Sequence, residues 1–227
     1  MQNREGVVYI IDGAGGSGWT PLVFRRSLSG LPYEVKHFRW GTGYMRIIND
    51  LTDRENIESR SNELRQSIEA HKREHPHERI YVIAKSAGTM IALRALSDLP
   101  QHTVEKAILL SPAVSPGFDL SNALRACKQE LINFWSPNDH FFLNLGTSLF
   151  GTADGIKGKG AGLVGFDIPK ESVEEYAKLR QIKWEPSMMK LLHMGDHAGN
   201  SMPPFVDKHI VPLLHPGEYR QQAPQAG

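Results

Sequence analysis

The chain has 227 residues, a length that one α/β domain routinely fills. Forty per cent hydrophobic and 22% charged residues provide the apolar content of a globular core, which excludes wholesale disorder, collagen-like repetition and a coiled coil. A formal net charge of +1 supplies neither the basic field that nucleic acid recruits nor an acidic tail, so small molecules are the expected partners.

Cys127 is the only cysteine; with no second cysteine to form an internal disulfide, it fits a reducing compartment. No apolar run approaches the ~18–20 residues needed to span a bilayer. The N-terminal residues Met1 to Glu5 lead into the apolar run Val7 to Ile11, which is shorter than the roughly 7–15 residues of a signal-peptide core. The expectation is a cytoplasmic protein that binds neither nucleic acid nor membrane.

In chain order, Val7 to Ile11 is a β-branched run closed by Asp12-Gly13, the pattern of a strand buried on both faces. Thr20 followed by Pro21 predicts a helix from Pro21 to Leu28. Tyr33 to Trp40 alternates loosely and ends at Gly41-Thr42-Gly43, a second strand and its turn. Thr52-Asp53-Arg54-Glu55 has capping-box spacing, and Ile57, Ser61, Leu64 and Ile68 then share a helical face, with Glu69 and Arg73 spaced for an exposed ion pair. Strands are expected at Ile80 to Ala84, Ala107 to Leu110, Leu131 to Trp135 and Gln181 to Trp184. Helices are expected at Ala87 to Leu96, Leu120 to Lys128, Glu171 to Arg180 and Phe205 to Leu214, where Pro212 would end the last one early.

Strands alternating with helices imply α/β architecture, a mostly parallel central sheet with helices on both faces. Residues 1–216 read as one domain and 217–227 as a disordered polar tail. Gly146 to Gly165 carries seven glycines and is too long for a simple turn, so it is either a lid-like insertion or a poorly ordered one.

The most informative segment is Ile80-Tyr81-Val82-Ile83-Ala84-Lys85-Ser86-Ala87-Gly88-Thr89-Met90. A buried strand runs into a helix with almost no linker, and a serine stands at the joint between small residues. A sharp strand-to-helix turn strains its central residue, lifts the hydroxyl above the sheet edge and aims the next backbone N–H at developing negative charge. A helix N-cap serine is the plainer account of the same residue. The segment resembles the nucleophile elbow of the α/β-hydrolase family, usually G-x-S-x-G and here A-K-S-A-G.

The resemblance extends over roughly Gly6 to His215. Family members carry nucleophile, acid and histidine in that chain order. It implies Asp139 as the acid, in Ser136-Pro137-Asn138-Asp139-His140 after the second strand beyond the elbow. It implies His197 as the base, in Leu192-His193-Met194-Gly195-Asp196-His197-Ala198-Gly199, in preference to His193. Asp119 and Asp196 are the fallback acids, and Lys85 reads as a solvated surface lysine.

The glycine loop Asp12-Gly13-Ala14-Gly15-Gly16-Ser17-Gly18 follows the first strand. In the family this loop supplies the second oxyanion donor, which would fall on Ala14 beside Ala87, with Gly13 and Gly15 shaping the substrate-binding turn. Asp12 stands where the family usually has histidine, so the internal hydrogen bonding of the loop must differ. The same loop satisfies G-x-G-x-x-G, the dinucleotide fingerprint, although the helix signals come after it and the second strand ends in His37-Phe38-Arg39-Trp40 without an acid to hold a ribose.

The histidines His71 and His75 lie one turn apart without a visible third ligand, and Gly158-Lys159-Gly160 lacks the Ser/Thr of a P-loop. Neither a metal nor a cofactor is expected. Trp135 and Trp184 are read as core, and Trp19 and Trp40 as either core or active-site rim. The resemblance implies a serine hydrolase acting on a small-molecule carboxylic ester or thioester. A non-catalytic binding domain of the same fold and an NADP-binding oxidoreductase are the alternatives.

Overall fold

Runs of β-branched and aliphatic residues without helix-period spacing form the centre of the molecule. In this computed structural model, which describes residues 4–13, 18–40, 53–140, 152–156 and 158–214, they are β1 (Gly6–Ile11), β3 (Arg79–Lys85) and β4 (Val104–Leu110). With β2 (Tyr33–Phe38), β5 (Cys127–Trp135) and β6 (Leu179–Lys183) they make a six-stranded sheet in the order β2-β1-β3-β4-β5-β6. Every neighbouring pair is parallel, so crossover helices must cover both faces.

Alternation along β1 divides the core in two. Val7, Tyr9 and Ile11 face α2 (Arg54–Glu74) and α3 (Gly88–Ser97), where they pack with Ile57, Leu64, Ile68 and Met90. Val8 and Ile10 face α1 (Trp19–Ser27) and the closing helical run, where they pack with Val23, Phe24, Phe205 and Ile210. The chain winds outward to β2 and then back past β1 to β3, so the loops leaving β1 and β3 diverge to opposite faces. That divergence makes the carboxyl ends of β1 and β3 a topological switch point, the place where α/β sheets bind ligands.

Several predicted boundaries move, each for a local reason. α2 is capped by Asp53, whose carboxylate accepts the Asn56 N–H at 3.0 Å; Thr52 lies outside the described residues. Glu69 pairs with Arg65 at 2.9 Å, one turn before it, rather than with Arg73. The helix expected over 120–128 is shorter, α4 (Ser121–Ala126), because Cys127 already pairs with Val104 as the first residue of β5.

The helix expected over 171–180 is replaced by two 3-10 turns, Lys170–Ser172 and Glu175–Lys178, and the strand begins at Leu179. Tyr176 is the buried residue of these turns, and its hydroxyl accepts the Leu120 N–H. The edge of β5 takes Leu179 into a ladder opposite Leu131, and tertiary pairing overrides helix propensity there. The closing helix runs from Pro203 to Leu214 through a π-helical turn, Val206–Ile210. The wider turn carries the Val211 N–H to the Val206 carbonyl and lets Pro212 continue the helix instead of ending it.

Residues 146–151 and 157 lie outside the described residues, as does the tail 217–227. The described parts of this stretch, 152–156 and 158–165, are docked rather than loose. Ala153 and Ala161 donate to the Ala113 and Val114 carbonyls, and Gly162 donates to Pro112 at 2.8 Å. A short helix, α5 (Ala161–Val164), closes it against β5.

Gly88 opens α3 where the helix presses on the end of β1. A Cβ there would lie 2.2 Å from the Asp12 carbonyl oxygen and 2.9 Å from the Ile11 side chain. Gly88→Ala is therefore expected to destabilise the protein by about 1–3 kcal/mol, read as a lower urea midpoint with an unchanged slope. An unchanged midpoint would show that α3 can retreat from β1 without loss.

Candidate active site

The end of β3 builds the first part of the site. Lys85 pairs with Leu110 as the last residue of the β3–β4 ladder, and Ser86 donates its N–H to the Leu110 carbonyl at 2.9 Å. The next residue turns into α3, and this turn forces Ser86 to φ 53°. That is the left-handed region, which a residue other than glycine occupies only when its surroundings hold it there. The Ser86 carbonyl is fixed by the Thr89 and Ala113 N–H groups. Among the described residues the Ala87 N–H, at the start of α3, has no hydrogen-bond partner.

The end of β1 comes close to this turn. A Cβ on Gly13 would sit 3.2 Å from Ser86 Cβ and 3.6 Å from its Oγ, so the glycine loop begins against the nucleophile candidate. Asp12 holds that loop from inside. Its carboxylate accepts Gly13 N–H at 2.8 Å and Gly18 N–H at 3.2 Å, and its carbonyl accepts the Trp40 indole at 2.7 Å. Trp40 is thereby core, whereas Trp19 is about half exposed. Ala14 and Gly15 lie outside the described residues.

The ends of β5 and of the chain supply the rest. After β5, Ser136 to Asp139 forms a turn closed by Asp139 N–H to the Ser136 carbonyl at 3.0 Å. The buried Asp139 carboxylate meets His197 Nδ1 at 2.9 and 3.1 Å. A ring nitrogen facing two carboxylate oxygens carries the proton, so His197 Nε2 is left as the acceptor. The structure thus joins Asp139 and His197, and it brings Gly13 against Ser86.

His193 is occupied elsewhere. Gly195 N–H donates to its Nδ1 at 3.2 Å, so Nε2 carries the proton and donates to Asn200 Oδ1 at 3.0 Å. Asn200 in turn donates to Ser111 Oγ at 2.8 Å. Gly199 must be glycine for this, since a Cβ there would lie 1.8 Å from His193 Nδ1. Burial lowers the His193 pKa, although Asn200, Asp196 and Asp139 act in the opposite sense.

Below about pH 6.5 the unfolded chain therefore binds a proton that folded His193 resists, and stability falls on acidification by at most about 1.4 kcal/mol per pH unit for that proton. His193→Gln is expected to flatten the decline of Tm between pH 7 and 5, and an unchanged slope would assign the acid sensitivity to other groups.

Lys85 departs most from the sequence reading. It is buried, and its ammonium donates to Ser201 Oγ at 2.6 Å. Burial pushes its pKa down, while Asp12, Asp139 and Asp196 pull it back up. Trp135 and Trp184, expected in the core, are half buried. Trp184 donates its indole N–H to the His193 carbonyl at 2.9 Å. Asp119 caps its own turn by accepting the Ser121 N–H, and Asp196 accepts the Gly199 N–H. His71 Nε2 bonds Glu78 at 3.0 Å.

Residues 193–201 are thus tied to three strand ends, through Lys85 at the end of β3, Ser111 after β4 and Asp139 after β5. Sequence reasoning expected Asp12 to alter the hydrogen bonding of its loop without identifying its partners, read Lys85 as solvated, and missed the His193–Asn200–Ser111 chain. Only Asp12 carries a local signal, an Asp opening a glycine run, which is Asx-turn chemistry.

The model of the family described as serine aminopeptidase, S33, within the hydrolases, matches residues 5–141. No curated protein matches the chain. Among solved structures, a protein of Xanthomonas campestris assigned to the alpha/beta hydrolase superfamily shares 12% identity over 89% of this chain and 96% of its own, with a TM-score of 0.52. A protein of Thermoplasma acidophilum predicted to be a CIB-like hydrolase shares 14% identity over 90% of this chain and 83% of its own, with a TM-score of 0.50. At such identities the likeness speaks for the fold. Among the described residues no helix is long and apolar enough to cross a membrane.

Proposed function

Because the chain belongs to the α/β-hydrolase family, we propose that it is a serine hydrolase that cleaves a small-molecule carboxylic ester or thioester through an acyl-enzyme on Ser86. The observation that carries the reading is the Asp139–His197 pair, at 2.9 Å, at the strand ends where Ser86 is held in a left-handed turn.

In this reading His197 Nε2 takes the hydroxyl proton as Ser86 Oγ attacks the acyl carbonyl, and Asp139 stabilises the imidazolium. The Ala87 N–H and the Ala14 N–H receive the oxyanion, each donor contributing about 2.7–4 kcal/mol to the barrier reduction. The imidazolium returns its proton to the leaving alcohol or thiol. The same histidine then activates a water that attacks the acyl carbon and frees Ser86. Every group in the cycle belongs to the chain, the substrate or water, so the reaction needs no cofactor.

The test is intact-mass analysis after treatment with a fluorophosphonate, followed by peptide mapping. One adduct on Ser86, absent from His197→Ala, is the expected result. A folded protein that takes no adduct, or takes it on another residue, overturns the proposal. A panel of esters, thioesters and aminoacyl amides with matched acyl groups then separates ester hydrolysis from the peptidase activity in the matching family's name.

A further inference from the structure

Arg25 on α1 and His37 and Arg39 at the end of β2 line one cavity of about 230 Å³, together with Gly18, Leu22 and Val35. No carboxylate is among its described lining residues. Both arginines are exposed, and among the described residues neither guanidinium forms an ion pair or a hydrogen bond. In a chain whose charges nearly balance, this is a local concentration of unpaired cations. Elsewhere on the surface Arg4, Arg60, Arg65 and Arg180 meet glutamates, while Arg26 and Arg73 form no ion pair among the described residues, so it is the shared cavity that sets Arg25 and Arg39 apart.

The cavity is also placed for use. His37 and Phe38 run beside Ile10 and Ile11 in the β1–β2 register, so Arg39 stands at the carboxyl edge of the sheet, level with the start of the glycine loop. Gly18, on the cavity wall, is the far end of the loop that Asp12 closes and whose near end abuts Ser86. Its volume lies below the ~300–1,000 Å³ of pockets that enclose a whole drug-sized ligand, so it suits one charged group of a larger molecule or one small anion. Two guanidiniums offer paired N–H donors to tetrahedral oxygens, and an imidazole beside them adds a third donor when protonated.

We infer that this cavity is a binding subsite for a phosphate-type oxyanion, beside Gly18 on the far side of the Asp12 turn from the Gly13–Ser86 contact. The anion is either carried by the acyl substrate, which rests on the hydrolase reading above, or bound free. Arg25 and Arg39 supply the charge and His37 reports occupancy. The groups facing His37 are Asp12 from the end of β1, Arg39 just past the end of β2 and Arg25 from α1; burial and the two arginines hold its pKa below the ordinary value, with Asp12 opposing them.

A bound dianion must raise it. Titration of the intact protein with inorganic phosphate, followed by the His37 imidazole signals in NMR, is expected to give a saturable upward shift of the His37 pKa. In Arg25→Gln/Arg39→Gln the affinity falls by about tenfold or more for each arginine lost. No response of His37 to phosphate, or an equal response in the double variant, overturns the inference whether or not Ser86 is reactive. Kinetics then identify the source. If the substrate carries the anion, the double variant raises KM for a phosphorylated acyl ester and leaves KM and kcat for its neutral homologue unchanged. If the anion binds free, the two esters respond alike while phosphate binding is still lost.

Discussion

Ser86→Ala is expected to lower kcat for an acyl ester by about 10⁶-fold, the scale of removing a nucleophile from an assembled triad. The fold should survive. Alanine tolerates φ 53° no better and no worse than serine does, and the carbonyl contacts to Thr89 and Ala113 are main-chain contacts, so stability should change by no more than about 0.5 kcal/mol. Ser86→Gly separates the two properties. It deletes the nucleophile and also relieves the left-handed turn, which costs a residue with a Cβ roughly 1–2 kcal/mol. The glycine variant should therefore unfold at a higher temperature than the alanine variant while being equally inactive. Ester hydrolysis that persists in both would place the chemistry elsewhere in the molecule.

The second large effect is Asp139→Asn. The carboxylate has both oxygens on His197 Nδ1. An amide of the same shape can turn its NH₂ to that nitrogen, which moves the ring proton to Nε2 and leaves no base for Ser86. A loss of about 10⁴-fold in kcat with little change in KM is expected. Comparing the two histidines sharpens the assignment. His197→Gln should match the Ser86→Ala loss and exceed that of Asp139→Asn, whereas His193→Gln should act mainly on stability, because His193 spends both ring nitrogens on Gly195 and Asn200. A larger activity loss at His193 than at His197 would reverse their roles.

The parts of this site that could be read from the sequence are those encoded locally. A buried strand, a serine and small flanking residues occupy eleven consecutive positions from Ile80 to Met90, and the short-range sterics of that turn belong to those residues alone. Asp139 and His197 came from the resemblance to the α/β-hydrolase family, which gives their place in the chain order, and the structure pairs the two side chains. What escaped reading depends on contacts across the chain. Lys85 is adjacent to Ser86, yet its burial follows from Ser201, 116 residues away. Leu179 extends a strand because Leu131 offers an edge, and nothing in Glu171 to Arg180 announces it. The need for glycine at 88 similarly comes from the Asp12 carbonyl rather than from the turn itself.

The attachment of residues 193–201 to three strand ends has a consequence for how the protein is made. Five of the six strands of the described sheet precede residue 136, so they and the Ser86 turn are translated before residues 193–201. Ser86 therefore leaves the ribosome before His197, the imidazole that the hydrolase reading assigns to it. The proposed activity thereby waits on translation past His197 and on the closing helix that covers the Val8 and Ile10 face of the sheet, and a ribosome-bound chain stalled before residue 193 should take no fluorophosphonate.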